Sequence, residues 1–125
     1  MTKLLVVDDD APTTDYMRSL LTEAGYSVVA LTSANAALAQ AKSGERFDLA
    51  VLDVVMPELS GDRLAAHLRQ LNPDLPILFV TGFNEALFRA RPLLWEGESF
   101  LEKPFTPAGL VEAVSMAIWG TITPP

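Results

Sequence analysis

The stretch FDLAVLDVVMPELSG, Phe47–Gly61, decides the fold. An apolar run, Leu49-Ala50-Val51-Leu52, ends in a single acid, Asp53. Val54 and Val55 follow, then Met56-Pro57 and a turn that closes at Ser60-Gly61. A short apolar run bounded by turn signals reads as a buried strand. An acid at the exit of a buried strand is costly unless something pairs with it. Asp53 is therefore either a cap or surface acid at the strand's end, or a carboxylate placed there for chemistry.

The rest of the chain repeats the theme. Leu4–Val7 is a first apolar run, closed by Asp8-Asp9-Asp10. Pro12 sits early in a helix, where its missing N–H does no harm. Tyr16, Met17, Leu20 and Leu21 recur at helical spacing up to a stop at Gly25. Tyr26–Leu31 is a second strand. Ser33 can cap a second helix carrying Ala34, Ala37, Leu38 and Ala41, stopped at Ser43-Gly44. From Asp62, the spacing of Leu64, Ala65, Leu68 and Leu71 predicts a third helix, ended by Asn72-Pro73. Pro76–Val80 is a fourth strand, followed by Thr81-Gly82. Phe83–Arg91 can form a short fourth helix, which Pro92 interrupts because an interior proline costs about 3 kcal/mol. Leu93–Gly97 reads as irregular, and Ser99–Glu102 as a short fifth strand before Lys103-Pro104. Thr106 can cap a last helix with Pro107 at its first position and Leu110, Val111, Val114 and Ile118 on its apolar face; Gly120 ends it. Residues 1–120 thus read as one domain and 121–125 as a tail or linker stub.

Five strands alternating with five helices imply an α/β doubly wound parallel sheet with right-handed crossovers and helices on both faces. In such sheets the site lies outside the carboxyl ends of the strands, where the strand order reverses. With the order 2-1-3-4-5, strands one and three are neighbours and their acids converge.

Composition narrows the functions. The 125 residues suffice for one domain with a core, and 50% are hydrophobic. The net charge of −7 argues against a nucleic-acid-binding surface, which needs a basic stripe. It fits a cytoplasmic protein or one that binds cations. There are no cysteines, which excludes disulfides, thiolate catalysis and zinc–thiolate sites. The start, Met1-Thr2-Lys3, lacks a signal-peptide layout, and no apolar stretch reaches membrane-spanning length.

The strand ends carry the chemistry. Asp8, Asp9 and Asp10 follow strand one, Asp53 strand three, Thr81 strand four and Lys103 strand five. Singly, each has an ordinary reading: Asp10 or Thr81 as a helix cap, Lys103 as a solvated charge. Together they describe a site. Clustered carboxylates repel and need a cation, and an oxygen-only donor set favours a hard ion such as Mg²⁺. A phosphate group arriving at Asp53 would meet Mg²⁺, the Lys103 ammonium and the Thr81 hydroxyl. That arrangement suits in-line attack of the carboxylate on phosphorus, giving an aspartyl phosphate. Gly82 beside Thr81 leaves space for the new group.

These motifs, LLVVDDD, VLDVVMPELSG, ILFVTG and FLEKPF, resemble the receiver domains of two-component response regulators and hybrid histidine kinases. The resemblance runs from Leu4 to about Ile118. It implies a flavodoxin-like receiver fold and Asp53 as phosphoacceptor. It also implies Asp8, Asp9, Asp53 and the backbone carbonyl of Val55 as the Mg²⁺ ligands, with Asp8 acting partly through water. Thr81 would be the switch hydroxyl, Phe100 the switch aromatic and Lys103 the phosphate-pairing lysine, before a cis Lys103–Pro104 bond. The implied partners are a histidine kinase or phosphotransfer domain, and a downstream effector or the chain's own parent hybrid kinase, with a homodimer on phosphorylation. Between Thr81 and Phe100, Pro92, Trp95 and Glu96-Gly97-Glu98 depart from the common pattern, in the manner of receivers attached to hybrid kinases.

Val55 and Phe83, two residues beyond Asp53 and Thr81, flank the path of a hydrolytic water. Neither can orient one, so a long-lived aspartyl phosphate is expected. His67, the sole histidine, lies on the expected third helix between Ala66 and Leu68, and no phosphotransfer role is expected of it because the acid cluster is the phosphate site; of Trp95 and Trp119 one should pack and one be partly exposed. Three rivals remain at this level. A haloacid-dehalogenase-type phosphatase would use the Asp8-x-Asp10 spacing, with Asp8 as nucleophile, but would leave Asp53 unexplained. A flavodoxin-like FMN module would need a Ser/Thr/Gly-rich loop after strand one, which is lacking. A third, a receiver-like scaffold that binds partners without phosphorylation, conflicts with the complete residue set.

Overall fold

The computed structural model of the chain describes residues 1–82 and 94–121. Its strands are β1 (Lys3–Val7), β2 (Ser27–Leu31), β3 (Leu49–Leu52), β4 (Ile77–Thr81) and β5 (Glu98–Glu102). They form one parallel sheet in the order β2-β1-β3-β4-β5. Four helices lie among the described residues: α1 (Ala11–Glu23), α2 (Ala34–Lys42), α3 (Gly61–Leu71) and α4 (Pro107–Trp119). The expected fourth helix over Phe83–Arg91, the break at Pro92 and the end of the tail lie outside the described residues.

Alternation along the strands divides the core. Leu5, Val7, Ala50, Leu52, Ile77 and Phe79 face one side, where Ala37 of α2 and Leu64 and Leu68 of α3 cover them. Leu4, Val6, Val51, Leu78 and Val80 face the other, against Met17 and Leu21 of α1 and Leu110 and Val114 of α4. β1, β3 and β4 are buried on both faces, which is why they read as continuous apolar runs. Each Leu or Val removed from water there contributes about 1.5–3 kcal/mol.

The helix starts follow the caps read from sequence. The carboxylate of Asp10 accepts the Thr13 N–H at 3.1 Å, Ser33 accepts Ala36 N–H at 3.1 Å, and Thr106 accepts Gly109 N–H at 2.9 Å. Gly120 ends α4 in the left-handed region, φ 73°, where a side chain would be strained. Boundaries move slightly. β2 starts at Ser27, because the Tyr26 N–H still donates to Leu21 in the turn and its ring stacks on Trp119, 6.0 Å between centroids. Thr81 is the last residue of β4 rather than the first beyond it, because the strand stays paired with β5 through Thr81–Glu102. Trp119 packs against the core, whereas Trp95 is 51% exposed. His67 is exposed on α3.

Candidate functional site

Register creates the site. Val7 of β1 pairs with Leu52 of β3, so the next residues, Asp8 and Asp53, leave adjacent strands at the same level. The Asp53 N–H donates to Val7 O at 2.9 Å, and the Asp8 N–H to Leu31 O at 3.2 Å. Thr81 pairs with Glu102 in β5, and the Lys103 N–H donates to Thr81 O at 3.0 Å, which brings the lysine round to the same edge.

Asp8 is fully buried and Asp53 nearly so, at 7% exposure, while Asp9 is exposed. One carboxylate oxygen from each of the three can lie within 4.8 Å of the others. The Asp8 carboxylate accepts Asp10 N–H at 3.0 Å and the Lys103 ammonium at 2.7 Å. Asp53 accepts Val54 N–H at 2.8 Å on one oxygen, and its other oxygen is 3.4 Å from Lys103 Nζ. The cation thus leans on Asp8 and reaches Asp53 weakly.

Burial pushes the Asp8 carboxyl above the usual carboxylate range, and the Lys103 and Asp10 hydrogen bonds offset this only in part. Burial would pull Lys103 down, but its hydrogen bond to Asp8 and the charges of Asp53 and Asp8 outweigh that, and it sits above the ordinary lysine value. Two carboxylates, one cation and a third acid at the mouth leave excess negative charge. The all-oxygen donor set suits a hard divalent ion.

Asp10 does not join the cluster. Its carboxylate binds the Thr13 N–H and hydroxyl as the cap of α1, and these hydrogen bonds lower its pKa. This removes the second acid that a phosphatase of the Asp-x-Asp type would need. Thr81 is buried at the end of β4, and Phe100 is partly buried in β5 opposite Phe79. Val55 stands 49% exposed just beyond Asp53. Phe83 lies outside the described residues. The Lys103–Pro104 bond is cis. Gly82 is not required by crowding: a Cβ there would meet nothing closer than Lys103 Cβ at 3.8 Å, an ordinary contact.

Two positioning residues escaped the sequence reading. Thr14 is buried in α1, and its hydroxyl donates to the Asp8 carbonyl at 2.6 Å. Gly61 begins α3 directly on the Asp53 backbone, where a Cβ would lie 1.8 Å from Asp53 O, and its N–H donates to Val54 O at 2.8 Å. The signal for Gly61 was its place at the end of the Met56-Pro57 turn; nothing in sequence marked Thr14. That turn also holds Glu58 at φ 71°, where its carboxylate accepts the Asn35 amide at 3.0 Å.

The chain has many relatives. Transcriptional regulatory protein CusR of Escherichia coli (strain K12) is 33% identical over 112 residues, which cover 90% of this chain and 49% of that protein. This chain spans about half the length of the curated relatives it matches. The crystal structure of a response regulator receiver protein from Sinorhizobium medicae WSM419 superposes with a TM-score of 0.84 at 31% identity, covering 94% of both chains. Response regulator protein TrrA of Thermotoga maritima, solved in complex with Mg²⁺ and BeF, gives 0.82 at 28% identity, covering 94% of this chain and 99% of that one. The family model described as the response regulator receiver domain matches residues 4–115, a span that runs from within β1 past β5 and includes Asp8, Asp9, Asp53 and Lys103. The chain belongs to the response regulator receiver domain family.

Proposed function

We propose that Asp53 accepts a phosphoryl group from the phosphohistidine of a histidine kinase or phosphotransfer domain, in a Mg²⁺-dependent reaction. The observation that carries this reading is the approach of the Asp8, Asp9 and Asp53 carboxylates to within 4.8 Å of one another beside Lys103. Asp8, Asp9, Asp53 and the backbone carbonyl of Val55 would hold the ion, which supplies positive charge against the phosphoryl oxygens. A carboxylate oxygen of Asp53 attacks phosphorus, the P–N bond breaks, and the imidazole leaves with its electron pair. The Val54 N–H holds the Asp53 carboxylate in place from the backbone side, 2.8 Å away. Lys103 pairs with the transferred group, and the Thr81 hydroxyl turns toward it.

The added group brings roughly −1.5 to −2 charges and three acceptor oxygens. Thr81 and Lys103 respond, Phe100 changes rotamer, and the population shifts toward a second conformation that controls a partner. The chain assists its own phosphorylation and dephosphorylation and turns over no separate substrate. Residues 1–120 form the receiver, and 121–125 a tail or linker toward an effector, a parent kinase or solvent. A cytoplasmic location and a partner-facing role fit the acidic chain; among the described residues no helix is long and apolar enough to cross a membrane. The homodimer on phosphorylation belongs to the same reading.

The test is labelling by acetyl phosphate with Mg²⁺. Wild type should take up one phosphoryl group, and Asp53→Asn none. Labelling of Asp53→Asn at the wild-type rate would sink the assignment.

A further inference from the structure

Far from the carboxylates, the end of α3 grips the start of β5. The Arg69 guanidinium donates from Nε to Leu75 O at 2.9 Å and from Nη1 to Glu96 O at 2.7 Å. Its third nitrogen, Nη2, lies against Gly97, where a Cβ would come within 2.2 Å of it. Gly97 has φ +81°, so a side chain there would be strained by the backbone and would push the guanidinium aside. The turn is closed on itself as well: Glu98 N–H donates to Trp95 O at 3.0 Å, and Trp95 N–H donates to the Glu98 carboxylate at 2.7 Å. Gly97 O in turn accepts the Ile77 N–H at 3.0 Å, which joins the turn to the first residue of β4.

The other end of α3 rests on the acceptor. Gly61 packs on the Asp53 backbone and donates to Val54 O. α3 is therefore a strut with Asp53 at one end and the entry to β5 at the other. We infer that Arg69 is a latch that makes Gly97 the fixed end of β5, so that movement of the strand is confined to the end bearing Phe100 and Lys103. A planar guanidinium bonded to Leu75 O of the α3–β4 loop and to Glu96 O of the turn ties the two segments at a fixed spacing. A lysine ammonium cannot reproduce that fork. The assignment of the moving end rests on the proposed response of Lys103 to phosphorylation at Asp53; the latch itself does not.

Amide hydrogen exchange on the whole chain reads it residue by residue. In Arg69→Ala, the Ile77 and Glu98 amides should exchange at least about tenfold faster, while Asp53 and Lys103 amides change much less. Gly97→Ala should give the same pattern by displacing the guanidinium, and Arg69→Lys should restore only part of the protection. Unchanged protection at Ile77 and Glu98, or a loss shared equally with Asp53 and Lys103, overturns the latch. With acetyl phosphate and Mg²⁺, wild type should change exchange at Lys103 and not at Glu98. Labelling accompanied by an equal change at Glu98 overturns the fixed end, whereas absence of labelling at Asp53 overturns the proposed function and leaves the latch measured by its own variants.

Discussion

Gly61→Ala puts the geometry of the loop after Asp53 to a quantitative test. Helix propensity alone favours alanine by about 1 kcal/mol. Sterics oppose it: the new methyl would lie 1.8 Å from Asp53 O, 2.7 Å from Asp53 C and 2.9 Å from Val54 Cα. All three are backbone atoms, so no rotamer change relieves the contact. The loop and α3 must part by more than about 1 Å before the contact becomes tolerable. That displacement breaks the 2.8 Å bond from Gly61 N to Val54 O, which contributes about 1 kcal/mol. Overpacking adds about 3 kcal/mol, the upper part of its usual range, because backbone must yield. After the propensity gain the net loss is about 3 kcal/mol, equivalent to a fall in melting temperature of roughly 10–15 °C for a domain of this size. A 1 Å misplacement at a reacting group can also cost about 100-fold in rate, so labelling of Asp53 should fall by about that factor. Thermal unfolding followed by circular dichroism reads the first effect, and acetyl phosphate labelling the second. Gly82→Ala is the control, since its methyl meets only an ordinary contact. A Gly61→Ala protein that melts within a few degrees of wild type and labels normally would refute the packing of α3 on the Asp53 backbone.

Three other outcomes follow from the same site. Asp8 has a raised pKa in the fold, so its contribution to stability is fully present below the unfolded value of 3.8 and is lost as pH rises through the folded value. Asp8→Asn removes this titrating group and its ion pair with Lys103, so it should flatten the acid side of the melting-temperature profile; an acid limb unchanged from wild type would contradict a raised Asp8 carboxyl. Mg²⁺ at ten times its dissociation constant should stabilise the wild type by about 1.4 kcal/mol, with the shift absent in Asp53→Asn; equal shifts in both, seen in thermal melts, would place the ion elsewhere. Polar replacement of Val55 and Phe83 together should shorten the phosphoryl lifetime by about an order of magnitude, and an unchanged decay rate would show that these positions do not govern access of water.

The sheet was legible because three of its strands are buried on both faces and leave unbroken apolar runs, each ending in a residue with chemistry. Asp8, Asp53 and Lys103 fall together by sequence alone, since strand order and register carry strand ends to one edge. What sequence could not supply was contact through side chains that resemble ordinary ones. Thr14 looks like any polar residue early in a helix, yet its hydroxyl holds the Asp8 carbonyl. Arg69 lies in the last turn of α3 and no motif marks it, yet it binds one carbonyl of the loop that follows its own helix and one from the turn before β5. Asp10 shows the converse: it stands in an acid triplet and looks like part of the cluster, but a cap on α1 claims its carboxylate.

In the proposed function Asp53 bears the phosphoryl group. The most direct measurement is borohydride trapping of the acetyl phosphate-treated protein, followed by peptide mass mapping. Reduction of an acyl phosphate converts the modified aspartate to homoserine. The expected result is that mass change at Asp53 alone, dependent on Mg²⁺, with Asp8 and Asp9 unmodified. Conversion at Asp8 or Asp9, or none at all in a folded, Mg²⁺-binding protein, would contradict it.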